Sequence, residues 1–263
     1  MYKRRALLKR FIFIRRPVPI RLARFTIYVR LDDWAVGARI AVKRSYEPHV
    51  SRAIDALLRP GMVVVDVGAN IGYYTLLAAT RVGPAGKVIA FEPGESSCDL
   101  LRMSLRANRL DNVQLHAYAV ADAAGTVGFG MDDSNGRISR DDPLRSPYQV
   151  PAVALDSFLK DEPRVDLIKM DIEGAEGRAL RGMRDLVRRH RPTIFSELSP
   201  RGLEVASGLT APAYMDQLRG LGYDLHLLRR GGAAEGPLTN EQLLSAISGG
   251  ADHIDLMGRP SST

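Results

Sequence analysis

The chain has 263 residues, 45% of them apolar and 25% charged, enough to bury one full α/β core and too few for two. No apolar run approaches the length that spans a bilayer, and a single cysteine, Cys98, excludes an internal disulfide and fits a reducing compartment. The net charge of +7 invites a nucleic-acid partner, yet residues 1–30 hold ten Lys and Arg and no acid, which leaves 27 basic against 30 acidic residues, or −3, for the rest. With aromatics at 6% and no N-P-P-Y-type segment that stacks a target base, no nucleic-acid partner is expected.

The basic arm interleaves Leu7, Leu8, Phe11, Ile12 and Ile14 with Lys9, Arg10, Arg15 and Arg16. Residues 1–16 could therefore touch an anionic membrane, or form a solvated tail packed on their own domain. A signal peptide is not supported, because the apolar run Phe11 to Ile14 is four residues long and is followed by Arg15 and Arg16. The expected location is cytoplasmic, with contact at the inner membrane face left open. From Phe25 to Val42 the residues alternate, which predicts a pair of strands; residues 1–45 are read as an extension and 46–263 as the main domain. His49 to Leu58 reads as a helix, closed by Pro60-Gly61.

The stretch Val63 to Gly72, VVVDVGANIG, organises the rest of the chain. β-branched residues run into Asp66, then come glycines four apart, and YYTLLAA continues with helical spacing. That is strand, tight turn, helix. Gly68 suits a backbone conformation or approach closed to a Cβ, and Gly72 suits a helix start that lies against its strand. Asn70 stands where a dinucleotide site needs its close-approach glycine, so a pyrophosphate is disfavoured. The next strand, Lys87 to Pro93, ends in Glu92 about twenty residues on, placed to accept hydrogen bonds from two ribose hydroxyls.

A helix from Ser96 to Asn108 comes next, with Cys98 read as a small buried hydrophobe rather than a nucleophile. Val113 to Val120 is a third strand and Thr126 to Met131 a short added one. Residues 132–150 are polar and turn-rich, either mobile filler or a lid over an acceptor. Val165 to Met170 is a fourth strand, leading into Asp171-Ile172-Glu173-Gly174-Ala175-Glu176. Ala175, Ala179, Met183 and Leu186 then share a helical face, with the nearby arginines read as solvated. Thr193 to Leu198, Tyr223 to Leu228 and His253 to Met257 complete the strands, with a helix at Tyr214 to Leu221. Alternating strands and helices imply a mostly parallel sheet covered on both faces. Asp66, Glu92, Asp122, Asp171 to Glu173 and Glu197 fall at successive strand ends, where open α/β sheets bind ligands.

D-V-G-A-N-I-G with F-E-P resembles motif I and the acidic strand end of S-adenosylmethionine methyltransferases. Adding Glu47-Pro48, AVADAAG, VALDSFL and VDLIKMDIEGAE in this order, the chain resembles the FkbM family of methyltransferases from Glu47 to about Glu197. The resemblance implies the class I, Rossmann-like methyltransferase fold with a mostly parallel seven-stranded sheet, S-adenosylmethionine as methyl donor, and a hydroxyl oxygen of a sugar or secondary metabolite as acceptor. It places the cofactor among Glu47, Asp66, Gly68, Asn70, Gly72, Thr75, Glu92, Asp122 and Asp171. Asp66 would orient the turn, Glu92 take the ribose, Asp122 or the backbone near Val120 meet the adenine, and Glu47 receive the amino group or cap a helix. Asp171 is the expected base, with Glu173 and Glu197 beside it. Asp171 also resembles the metal-ligand aspartate of catechol O-methyltransferase, and with Glu197 it could hold Mg²⁺, a reading ranked below direct base catalysis.

Overall fold

The computed structural model describes residues 16–132, 135–139, 148–229, 234–248 and 252–261. A hairpin of β1 (Val18–Arg21) and β2 (Thr26–Val29) comes first, then α1 (Gly37–Lys43) and α2 (Pro48–Leu57). β3 (Val63–Val67), α3 (Tyr73–Val82), β4 (Lys87–Phe91), α4 (Glu95–Asn108) and β5 (Val113–His116) form the first half of the main sheet. A separate sheet is built from β6 (Ala119–Val120), β7 (Gly125–Asp132), β8 (Asn135–Ser139) and β9 (Tyr148–Val153), and then comes α5 (Leu155–Phe158). The second half runs β10 (Leu167–Met170), α6 (Glu176–Arg181), α7 (Arg184–His190), β11 (Thr193–Leu198), α8 (Pro200–Ala206), α9 (Ala211–Gly220), β12 (Tyr223–Leu228), β13 (Ala234–Glu235), α10 (Asn240–Ser248) and β14 (Ile254–Pro260).

The main sheet has the order β13-β12-β14-β11-β10-β3-β4-β5. The pairs from β11 to β5 are parallel, and β14 lies antiparallel between β11 and β12. Order reverses between β3 and β10, so the carboxyl ends of these two strands flank the topological switch point. The seven expected strands are present, and the two-residue β13 adds an eighth at one edge.

Each strand serves two cores because its residues alternate between faces. Val63, Val65 and Val67 join the apolar cluster built with α6, α7 and α9, while Val64 joins that under α2, α3 and α4. The same parity puts Asp66, Lys169 and Glu197 on the α2/α3 side, and the register sets Lys169 beside Asp66 and Glu197 opposite Asp255. Ile27, Val29 and Ile40 belong to the core on that side, so the hairpin and α1 are packed into the domain.

Four readings need correction. The strand pair lies at Val18–Val29, and Gly37–Lys43 is a helix, because Asp33 accepts the N–H groups of Ala35, Val36 and Gly37 and starts a helical turn. Val113 to Val120 is broken after His116, so its two pieces serve different sheets. Residues 132–150 are not one long loop, since β8 and the start of β9 lie within them; 133–134 and 140–147 fall outside the described residues. The helix after Asp171 is two helices, interrupted at Gly182, where a Cβ would stand 2.0 Å from the Ala121 carbonyl oxygen. The arm, residues 1–15, also lies outside the described residues.

Candidate active site

The turn between β3 and α3 is held by backbone geometry that its sequence selects. Gly68, Asn70 and Gly72 all have positive φ, at +80°, +50° and +93°. A Cβ on Gly68 would lie 2.1 Å from the Asp171 carbonyl oxygen, so that glycine lets two strand ends meet at the switch point. At Gly72 a Cβ would strike Leu101 of α4 at 2.2 Å, which makes its close partner α4 and not its own strand. Gly68 N and Ala69 N donate to the Phe91 carbonyl at 2.9 and 3.0 Å, tying the turn to β4.

Glu92 completes that tie. Its Oε2 accepts from Asn70 N at 2.8 Å and its Oε1 from Gly94 N at 2.7 Å, so both oxygens are oriented and each keeps a lone pair for a ligand. Burial pushes its carboxyl up to about 7 even though both amide bonds pull the other way. Asp66 lies behind the turn, its Oδ2 accepting from the Thr75 hydroxyl at 2.5 Å and its Oδ1 buried with no hydrogen-bond partner among the described residues. Thr75 thus supports the turn through Asp66. Cys98 is fully buried with its Sγ donating to the Glu92 carbonyl, and burial raises the thiol to about 12, a packing role.

These groups wall an open cleft. The Gly68–Ile71 backbone and Glu92 form one side, Phe91, Tyr118, Val120 and Phe129 an apolar wall, and Lys169, Asp171 and Glu173 the far side. Asp122 does not line it. Its carboxylate is gripped by Arg178 at 3.0 Å and Arg181 at 3.2 Å; burial opposes ionisation, but these bonds hold the acid below its ordinary range. Arg178 and Arg181 are accordingly partners of Asp122 rather than solvated. His116 stacks on Phe91 at 5.3 Å and extends the apolar wall.

A smaller, open crevice adjoins the cleft, and Lys169 and Asp171 line both. Glu47, Glu197 and Asp255 line this second space. The buried Lys169 ammonium lies 3.1 Å from Asp171 Oδ2 and 4.7 Å from the Tyr74 ring centroid, while the Tyr74 hydroxyl donates to Glu47 at 2.8 Å. Burial works against the Lys169 charge, but Asp171, Asp66 and Glu47 raise its pKa overall and keep it cationic. Glu197 has the opposite environment: burial, then Asp171 and Glu176, push its carboxyl up to about 10. His253, 3.9 Å away and half exposed, is too distant to hold it ionised. Asp255 is met by His49 at 2.6 Å. Burial, then Asp171, raises Glu47, so it lies with the acidic crevice and not in the glycine-turn cleft.

The donor set does not suit a divalent cation. Among the described residues no three His, Cys, Asp or Glu side chains gather in a metal-holding arrangement. The position beside Asp171 already holds an ammonium, and a Glu197 that keeps its proton is a poor ligand. The cleft does suit S-adenosylmethionine: oriented lone pairs on Glu92 for a ribose and an apolar wall for a base.

Tyr46 and Asp255 are not singled out in the sequence as site residues, and neither are Tyr74 and Lys169, although these two lie within YYTLLAA and VDLIKMDIEGAE. Only Lys169 leaves a signal, a lysine inside the buried run Leu167-Ile168-Lys169-Met170. Glu176 is legible as part of the motif but not as a buried acid; its Oε1 accepts from Ile172 N at 2.9 Å and its Oε2 has no partner.

Sheet order, glycine turn and strand-end acid together define a class I, Rossmann-like, S-adenosylmethionine-dependent methyltransferase. The FkbM methyltransferase domain matches residues 66–225, more than half of the chain, and the protein belongs to that family. Relatives include the 2-O-methyltransferase NoeI of Sinorhizobium fredii, 27% identical over 66% of this chain and 77% of that one. The hexuronic acid methyltransferase AglP of Haloferax volcanii is 24% identical over 61% and 64%. The solved structure of methyltransferase FkbM from Methylobacillus flagellatus shares the fold, with a TM-score of 0.50 and 20% identity over 77% of this chain; the match spans 45% of that longer chain.

Proposed function

We propose that this methyltransferase acts on a hydroxyl oxygen of a sugar, free or within a glycan, and that Asp171 is its base. The observation that carries the reading is the wall formed by Lys169 and Asp171, which faces the cofactor cleft on one side and the acidic crevice on the other. An acceptor hydroxyl brought to this wall then meets the cofactor at Asp171. The names of NoeI and AglP, an O-methyltransferase and a methyltransferase of a hexuronic acid, support an oxygen acceptor and a sugar.

S-adenosylmethionine supplies a methyl group already activated by a sulfonium sulfur, so alignment of the acceptor oxygen gives much of the acceleration. Glu92 holds the ribose hydroxyls and Phe91, Tyr118 and Val120 the adenine, with the methionine end lying along the Gly68–Ile71 turn. Lys169 fixes Asp171 through Oδ2, leaving Oδ1 to take the acceptor proton. The protonated Glu197 offers a hydrogen bond to a second hydroxyl of the sugar, and Glu173, at the cleft rim with φ +56°, borders the same opening. Incubation with S-adenosylmethionine and a panel of neutral and uronic methyl glycosides, read by mass spectrometry, should show one added methyl on oxygen. Methylation of nitrogen, or of tRNA in place of every glycoside, would overturn the reading.

A further inference from the structure

Around α1 the protein turns unlike residues to solvent. Trp34 is 61% exposed and Val42 82%, the two most exposed large apolar side chains among the described residues. Arg39, Val42 and Lys43 stand at i, i+3 and i+4, so they share one face of α1, and all three are exposed. Arg44 comes next and donates to the Arg21 carbonyl at 3.2 Å, joining this face to the hairpin, where Arg16, Pro19 and Arg21 are exposed.

Among the described residues, acids pair with Arg24 and Arg30 of this region, through Asp55 at 3.3 Å and Asp32 at 2.7 Å. Residues 16–46 contain seven Lys and Arg and two acids, a balance of +5. Both acids are engaged internally: Asp32 is gripped by Arg30 at 3.0 and 2.7 Å, and Asp33 accepts three backbone N–H groups. Residues 1–15, which lead directly into this surface, add six more Lys and Arg and no acid. The turn that carries Trp34 also carries Val36, and Val36 and Tyr46 line the cofactor cleft.

We propose that the surface around α1, which exposes Trp34 in the turn before the helix and Val42, Arg39, Lys43 and Arg44 on and after it, docks on an anionic phospholipid surface. A tryptophan and an aliphatic side chain exposed together with basic residues match the headgroup boundary, where apolar groups leave water while cations stay beside lipid phosphates. Nucleic acid would attract the arginines equally but gives Val42 no apolar partner. Docking holds the cleft mouth close to the headgroup layer, and the inference stands on these exposed residues whether or not the acceptor is a sugar.

Trp34 is the only tryptophan in the chain, so its emission reports this face alone. The full-length protein is titrated with phosphatidylcholine vesicles containing phosphatidylglycerol, with phosphatidylcholine alone, and with tRNA. Anionic vesicles should shift the emission to the blue, and added salt should reverse the shift. Arg39→Gln, Lys43→Gln and Arg44→Gln together should weaken vesicle binding about tenfold or more, and Val42→Asp should weaken it also. Co-sedimentation with no change in emission would assign all binding to residues 1–15 and overturn the proposal. So would an emission change with tRNA and none with vesicles.

Discussion

Glu92 and Glu197 both end strands of the main sheet, both are largely buried, and their surroundings differ in kind. Two backbone amides aim the Glu92 carboxylate into the cleft, whereas Glu197 faces Asp171 and Asp255 with no close cation of its own. The first arrangement is a cradle, in which loop geometry fixes an acceptor before a ligand arrives. The second is an electrostatically loaded space, in which one buried lysine must balance several carboxyls and the acids with no cation keep their protons. Recognition and chemistry therefore rest on different physics at one edge of the same sheet, and substitutions should separate them.

The largest expected effect belongs to the loaded side. Asp171→Asn keeps the shape of the side chain and removes its ability to take a proton, so turnover should fall about 10²- to 10⁴-fold. Cofactor binding, measured by calorimetry with S-adenosylhomocysteine, should stay within a few-fold of wild type. Loss of both together would mean that Asp171 belongs to the cradle.

On the cradle side the pattern should reverse. Glu92→Ala removes an oriented acceptor and leaves the Asn70 and Gly94 amides without their partner, so S-adenosylhomocysteine should bind about 100-fold more weakly. Glu92→Gln, which keeps one acceptor oxygen, should fall between the two. Unchanged affinity in Glu92→Ala would remove Glu92 from the cofactor site.

How much of this contrast can be read from the chain depends on how local its cause is. The cradle is encoded within thirty residues: Asp66, Gly68, Asn70 and Gly72 make the turn, and Glu92 is one crossover away, so motif spacing is enough. The loaded side is assembled by register. Lys169 meets Asp66 because β10 pairs with β3, and Asp255 meets Glu197 because β14 inserts antiparallel beside β11; neither pairing is visible in a linear pattern. Asp122 misleads for the same reason. It stands after a strand that breaks at His116, and Arg178 and Arg181, more than fifty residues away, bind it. The α1 region reads wrongly because alternation and a short helix look alike over seven residues, and Asp33 as a capping group decides between them.

A third substitution probes buried acids as such. Burial raises Glu176 from 4.5 to about 7, so the folded state holds a proton that the unfolded chain has released. The stabilising contribution is complete below about 4.5 and is lost as pH rises through about 7. Wild-type melting temperature should therefore decline across that window. Glu176→Gln, with no proton to lose, should lessen the decline, the part due to Glu92 and Glu197 remaining, and stabilise the protein above pH 7 by as much as roughly 3 kcal/mol. An equal decline in the variant would place the titration at Glu92, which is raised over the same interval.

The smallest effect is expected at Glu197, and its smallness is the point of the measurement. With its carboxyl pushed up to about 10, Glu197 is a neutral hydrogen-bond donor at physiological pH, and Glu197→Gln replaces one neutral donor with another of nearly the same shape. Methyl transfer at pH 7 should change by less than about threefold, since the loss of a well-placed hydrogen bond between neutral groups costs little when a substitute donor remains. Activity should also survive EDTA, because Lys169 already supplies the positive charge beside Asp171. A loss as deep as that of Asp171→Asn, reversed in the wild type by Mg²⁺ after chelation, would show that Glu197 works as an ionised ligand. The two strand-end glutamates would then differ in what they bind and not in whether they are charged.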